Sequence, residues 1–138
     1  MPEGYSNTDW LAGNAAEGAY VPFQLFTAED EIKTGAATVL TGQIMAVFTI
    51  VAFNAANKLV PWAPAAMDVT NKPVGIMAAD VNTGNTLGGT NADTILPFYE
   101  GGCFNPDVLV WPAALDTYAE RNAALRAAGA PFRVKRLL

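Results

Sequence analysis

Ten consecutive residues, Ile44-Met45-Ala46-Val47-Phe48-Thr49-Ile50-Val51-Ala52-Phe53, are apolar at odd and even positions alike, with Thr49 the single polar interruption. A half-exposed strand alternates apolar and polar residues, so a segment apolar on both parities has to be covered on both faces. The run is therefore expected as the central strand of a sheet, with a buried helix as the competing reading. It is too short to cross a membrane, which takes roughly 20 apolar residues. Its neighbours are strand-like as well. Ala37 to Ile44 is rich in Thr, Val and Leu; Leu59-Val60-Pro61-Trp62 reads as a short strand and Pro73 to Ala79 as another. Thr94 to Tyr99 is a further strand, in which Pro97 argues for a sheet edge or a bulge. Gly84 to Asn91 is a loop.

The best helical signal comes late. Thr117-x-x-Glu120 has the form of a capping box, Tyr118, Leu125 and Ala128 share one face, and Gly129 followed by Pro131 supplies the stop. A helix is expected over 118–128, a second short one opening at Asn105-Pro106-Asp107 and running to Val110, and a closing strand over 132–135. With 138 residues, the chain is expected to form one compact domain, mainly β with short α-helices (α+β).

Composition removes much of enzymology. Histidine is absent, which excludes Ser-His-Asp triads, Cys-His dyads and two-histidine zinc sites; one cysteine, Cys103, leaves neither an internal disulfide nor a tetrahedral Cys/His zinc centre. No metal and no cofactor are expected. Asp80-Val81-Asn82-Thr83-Gly84-Asn85 begins like a calcium loop, but Asn85 stands where glycine is needed and Asn91 where a bidentate glutamate is needed. The glycines at 84, 88 and 89 are followed by no Gly-Lys-Ser/Thr, so they read as a flexible loop. Glu29-Asp30-Glu31, Asp68, Asp80, Asp93 and Glu100 are expected as solvated carboxylates, and Cys103 as a small buried thiol. The chain is expected not to be an enzyme.

Eight Lys and Arg against 13 Asp and Glu give a net charge of −5, which argues against a nucleic-acid partner. Five of those eight bases, Arg121, Arg126, Arg133, Lys135 and Arg136, lie beyond residue 120. Such a basic tail suits an acidic patch on a partner, pairs between copies, or plain solvation. Only 15% of residues are charged and 51% are hydrophobic, a surface that favours permanent association, although an alanine-rich monomer would share the numbers. The acidic N-terminus lacks a secretory pattern, so a soluble product made in the cytoplasm, with no membrane partner, is expected. Residues 1–24 combine glycines and small polar residues with Tyr5, Trp10, Tyr20 and Phe23. Disordered tails are usually poor in aromatics, so these rings suggest an extended arm lying in a groove of its own domain, a neighbouring subunit or a partner.

Phe98-Tyr99-Glu100-Gly101-Gly102-Cys103-Phe104, followed by Asp107-Val108-Leu109-Val110-Trp111-Pro112, a capped helix and Ala127-Ala128-Gly129, resembles the head decoration protein D family of bacteriophage lambda. Lys58-Leu59-Val60-Pro61-Trp62 and Pro73-Val74-Gly75-Ile76-Met77-Ala78 fit the same family in the same order, so the resemblance covers about residues 38–138. The loop over 83–91 and the portion before the domain are longer than the family pattern.

The resemblance implies a β-clip-like domain over 39–138 preceded by an extended arm over 1–38. It further implies a homotrimeric cement protein on the outside of the expanded phage head, at three-fold and quasi-three-fold positions, bound to the major capsid protein and resisting internal DNA pressure. Phe26, Thr27, Ile32, Thr34, Ala36 and Thr38 would then carry the capsid-binding arm, and Trp62, Phe98, Tyr99, Phe104, Trp111 and Pro112 would anchor the core or the trimer. Two rival readings are a head-surface appendage binding host or environmental carbohydrate, and a hydrolase using two facing carboxylates.

Overall fold

The computed structural model describes residues 24–28 and 30–136. Among them run β1 (Lys33–Val39), β2 (Ile44–Met45), β3 (Ile50–Phe53), β4 (Leu59–Pro61), β5 (Pro73–Met77), β6 (Val81–Asn82), β7 (Thr94–Gly101), β8 (Cys103–Phe104), the helix α1 (Tyr118–Ala128) and β9 (Arg133–Val134). Strands β1-β4-β3-β5-β7 close into a small barrel, while β2 pairs with β6 and β8 with β9. The described residues are mainly β with one short α-helix.

The two-sided burial read from the ten-residue run is real. Val51 turns into the barrel, where each of the five strands contributes to one cluster: Val39, Leu59, Val51, Met77 and Phe98. Its neighbours Ile50 and Ala52 turn the other way, into a second cluster with Trp62, Ile76, Phe104, Leu125, Phe132 and Val134. Alternation along a strand sends successive side chains to opposite faces, so β3 separates two cores.

The run is nevertheless not one strand. Ile44 and Met45 belong to β2, and the chain then turns through Ala46 to Thr49 before β3 begins. Phe48 adopts φ 70°, a left-handed conformation that an aromatic residue takes only under constraint. The constraint is visible. Phe48 N–H donates to Met77 O at 2.9 Å, its carbonyl accepts from Val110 N at 2.9 Å, and the Thr49 hydroxyl and N–H both return to Ala46 O. Val47 N donates to the Asp80 carboxylate at 2.8 Å. Periodicity alone does not register such a turn, because all of its side chains are hydrophobic but for Thr49.

Two more expectations change. β7 is not an edge strand, since it lies between β5 and β1. Pro97 is tolerated because it sits where β5 ends, facing Ala78, whose N–H donates to Pro97 O. Asn105 to Val110 forms a single turn rather than a helix, with Asn105 Oδ1 accepting from Asp107 N at 3.1 Å. The late helix is as expected. Thr117 Oγ1 accepts from Glu120 N at 3.2 Å, Gly129 takes φ 68°, and Ala130 N–H donates to Leu125 O, the Schellman closure. The expected closing strand shortens to Arg133–Val134.

The stretch 80–91 stitches loops together. The buried Thr83 hydroxyl donates to Leu40 O at 2.6 Å and accepts from Gln43 N at 2.9 Å.

Gly75, on β5 opposite Val51, lies against β7: a Cβ there would overlap the Tyr99 carbonyl and the Phe98 ring, neither of which can yield. A Cβ at Gly35 would meet only the mobile end of the Glu100 side chain. Gly75→Ala is therefore expected to cost at least about 2 kcal/mol and Gly35→Ala less than about 1 kcal/mol, checked by urea denaturation midpoints.

Candidate docking surface

β1 is paired very unevenly. It matches β7 from Lys33↔Gly101 through Val39↔Thr94, with one irregularity between Lys33 and Thr34, but meets β4 only at Val39↔Leu59. Main-chain groups alternate in direction along a strand. Because Pro97 O accepts from Ala78, Pro97 faces β5 and its neighbours Leu96 and Phe98 face β1. Their partners Gly35 and Ala37 thus direct N–H and C=O groups toward β7, and Thr34, Ala36 and Thr38 direct theirs away. Leu40 N–H donates to Leu59 O at 3.2 Å, so the Thr38 end of that outer edge is closed by β4. At Thr34 and Ala36 the edge has no partner strand among the described residues.

The side chains flanking the open stretch itself are uncharged. Thr34 and Ala36 on β1 and Ile95 and Pro97 on β7 are exposed, Ile95 at 69%. Next to it opens a cleft of about 390 Å³ lined by Ala37, Phe53, Val74 and Phe98, with Lys33 and Glu100 at its polar side. An unguarded edge next to apolar side chains is what an incoming extended segment pairs with.

Asp93 holds the closed end of the seam. Its carboxylate accepts from Thr41 N, just beyond β1, at 2.8 Å and from Lys58 Nζ, just before β4, while Asp93 itself stands just before β7. The Lys58 hydrogen bond, then the Thr41 N–H, hold the carboxyl below its ordinary value of 3.8. A depressed carboxyl stabilises the fold above its unfolded value, and that stabilisation is lost as pH falls through the lower folded value. The stability difference between wild type and Asp93→Asn is therefore expected to be constant above the ordinary value of 3.8 and to shrink below it, checked by thermal melts across pH.

The residues expected to form the arm divide between core and edge. Phe26 packs with Tyr99 and Phe104 at ring separations of 5.4 and 5.2 Å and forms an antiparallel bridge to Phe104. Thr27 N–H donates to Cys103 O, so 25–27 runs as a third strand beside β8. Ile32 is exposed, and Thr34, Ala36 and Thr38 lie in β1. The expected boundary after residue 38 falls inside β1. Residues 1–23, with Tyr5, Trp10, Tyr20 and Phe23, lie outside the described residues, as does Glu29.

Of the expected anchors, Trp62, Phe98 and Phe104 are buried, and Trp62 Nε1 donates to Asn71 O at 2.8 Å. Tyr99, Trp111 and Pro112 are half-buried. Trp111 packs on the second core from outside, donates to Pro106 O at 2.8 Å and is covered by the Arg121 guanidinium at 5.2 Å. Trp62→Ala is expected to cost about 3–5 kcal/mol and Trp111→Ala clearly less, because Trp62 is buried in the second core and Trp111 only half-buried; chemical denaturation separates them.

Among the described residues, no group of three or more His, Cys, Asp and Glu could hold a metal ion, and no helix is long and apolar enough to cross a membrane. Among the described residues, the small barrel thus leaves the main chain of one strand, β1, incompletely paired. The chain belongs to the bacteriophage lambda head decoration protein D family, whose sequence model matches residues 15–131, well over half its length. That family is a structural one of phage heads, not an enzyme family, and places the chain with the capsid of the virion. No curated protein matches the chain.

The Asp93, Lys58 and Thr41 clasp was not read from the sequence. Its members are 35 and 52 positions apart and carry no local pattern.

Proposed function

We propose that this protein is a homotrimeric cement protein that binds the major capsid protein on the outside of the expanded head, at three-fold and quasi-three-fold positions, and stabilises the shell against internal DNA pressure. The observation that carries this reading is the open outer edge of β1 at Thr34 and Ala36, within a chain of the head decoration family. An extended segment of a capsid subunit, added to that edge, gains main-chain hydrogen bonds without requiring special side chains on the decoration protein. Residues 30–32, just before β1, continue the same contact, and the domain takes in 25–27 and β1 rather than beginning after residue 38. Three such contacts on one trimer act intramolecularly once the first engages, so modest individual affinities yield tight occupancy when subunit spacing matches. An unexpanded shell offers the same sites at the wrong separation.

A second exposed surface supports self-association. Ile44 at 67% and Val110 at 42% exposure flank a cleft of about 240 Å³ that also includes Pro61, Trp111 and Pro112. Apolar residues grouped in this way suit a contact between copies. Light scattering is expected to give about 43 kDa, three times 14.5 kDa, and Ile44→Asp with Val110→Asp to lower it to the monomer mass.

Ala36→Pro tests the edge directly. It removes an outward N–H while leaving the β7-directed hydrogen bonds of Gly35 and Ala37 in place. With the folded state verified by its melting transition, the variant is expected to lose at least about tenfold in affinity for expanded heads in co-sedimentation. Undiminished binding by a folded Ala36→Pro variant overturns the β1 contact.

A further inference from the structure

A groove of about 480 Å³ runs between α1 and β9 on the side of the domain formed by the second core. Its walls carry Arg126 from the last turn of α1 and Arg133 and Lys135 from β9 and the residue after it, with Tyr118 and Asn122 adding an aromatic face and an amide. For a chain of net charge −5 this is an unusual concentration of cations. Asp30 engages Arg133. Arg126 and Lys135 have no ion pair among the described residues.

The groove also offers main chain. Arg133 N–H donates to Gly102 O and Lys135 N–H to Phe104 O, so these two residues face β8. Val134, between them, directs its N–H and C=O to the opposite side, where it lines the groove. Among the described residues the site thus combines a strand edge without a partner, two cations without an ion pair and an apolar floor, which together match an extended acidic segment.

We propose that this groove binds the chain's own first 23 residues. That segment contains Glu3, Asp9 and Glu17 and no lysine or arginine, and its Tyr5, Trp10, Tyr20 and Phe23 supply rings for the apolar floor. It joins the described structure at Gln24, just before the strand 25–27; Ala28 beyond that strand and Cys103 of β8 line the groove, and the outer edge of β9 lies past β8 and β9. Crossing three strand spacings of about 4.8 Å takes some 14 Å, and 23 residues reach several times that distance. Attachment keeps the local concentration high, so surface ion pairs that would be weak between separate molecules suffice here. The groove is distinct from the β1 edge, and this inference holds or fails on the free protein whether or not the capsid contact is correct.

Chymotrypsin cleaves after the four rings of the segment, which makes its cleavage rate in the full-length protein the readout. Wild type at low salt is expected to be cleaved there at least about tenfold more slowly than Arg126→Glu/Lys135→Glu or Glu3→Lys/Asp9→Lys/Glu17→Lys, and combining both sets is expected to restore protection. Glu3→Gln/Asp9→Gln/Glu17→Gln, which leaves the domain untouched, is expected to lose protection too and covers the case in which the groove variant fails to fold. Equal rates in wild type and the neutralised segment overturn the proposal. A one-to-one mixture of groove-reversed and segment-neutralised chains, refolded together, is expected to show no protected segment. Recovery of protection in that mixture assigns the segment to a neighbouring copy and overturns the assignment to the same chain.

Discussion

The burial of β3 on both faces is the constraint from which the rest of the molecule follows. Val51 needs a barrel on one side, and Ile50 and Ala52 need a second layer on the other. A five-stranded barrel can bury only the inward half of its side chains, so the outward half of β3 and β5 requires a cover. That cover is assembled from distant pieces: residues 25–26, β8 and β9, α1, and Trp62. Phe104, fully buried, sits where several of these meet, in ring contact with Phe26, Tyr99 and Phe132. The hydrophobic content is thus divided between two small cores rather than gathered in one large one.

The edges of β1 and β9 present main-chain groups without a strand partner among the described residues. β1 is zipped at the Val39 end by Leu59 and by the Asp93 clasp, and is open toward Lys33. Among the described residues β9 is paired with β8 alone. Main-chain hydrogen bonding asks little of side chains, which accords with a chain lacking histidine and with a family whose members are structural parts of phage heads. The charge asymmetry fits the same picture. Of the five basic residues beyond 120, Arg121 stacks on Trp111 and Arg136 on Tyr118, while Arg133 pairs with Asp30; these anchor the cover to the body, and among the described residues Arg126 and Lys135 have no ion pair.

Elements defined by local chemistry were legible. The helix over 118–128 has its cap at Thr117, its stop at Gly129 and its apolar contact at Leu125 all within 117–129, so nothing distant had to be known. β4, β5 and β7 were marked by composition and punctuation, and the family by the run from Phe98 to Pro112. The turn through Ala46–Thr49 was not legible, because Phe48 is held in its left-handed conformation by Met77 and Val110, residues that the local pattern does not contain. Asn105-Pro106-Asp107 carried a helix-opening signal, yet the bridge between Thr49 and Val110 draws the chain away after one turn.

The amino-acid sequence by itself determined which segments must be buried, which must be strands or helix, the absence of histidine-based chemistry, and membership of the family, because each of these depends on residues close together in the chain or on composition. Only the tertiary structure decided which strand edges are left open, that residues 33–38 belong to the barrel, and that Asp93 closes one end of its seam. Pairing of strands is a relation between segments far apart, and whether an edge is free depends on the neighbour that fails to reach it.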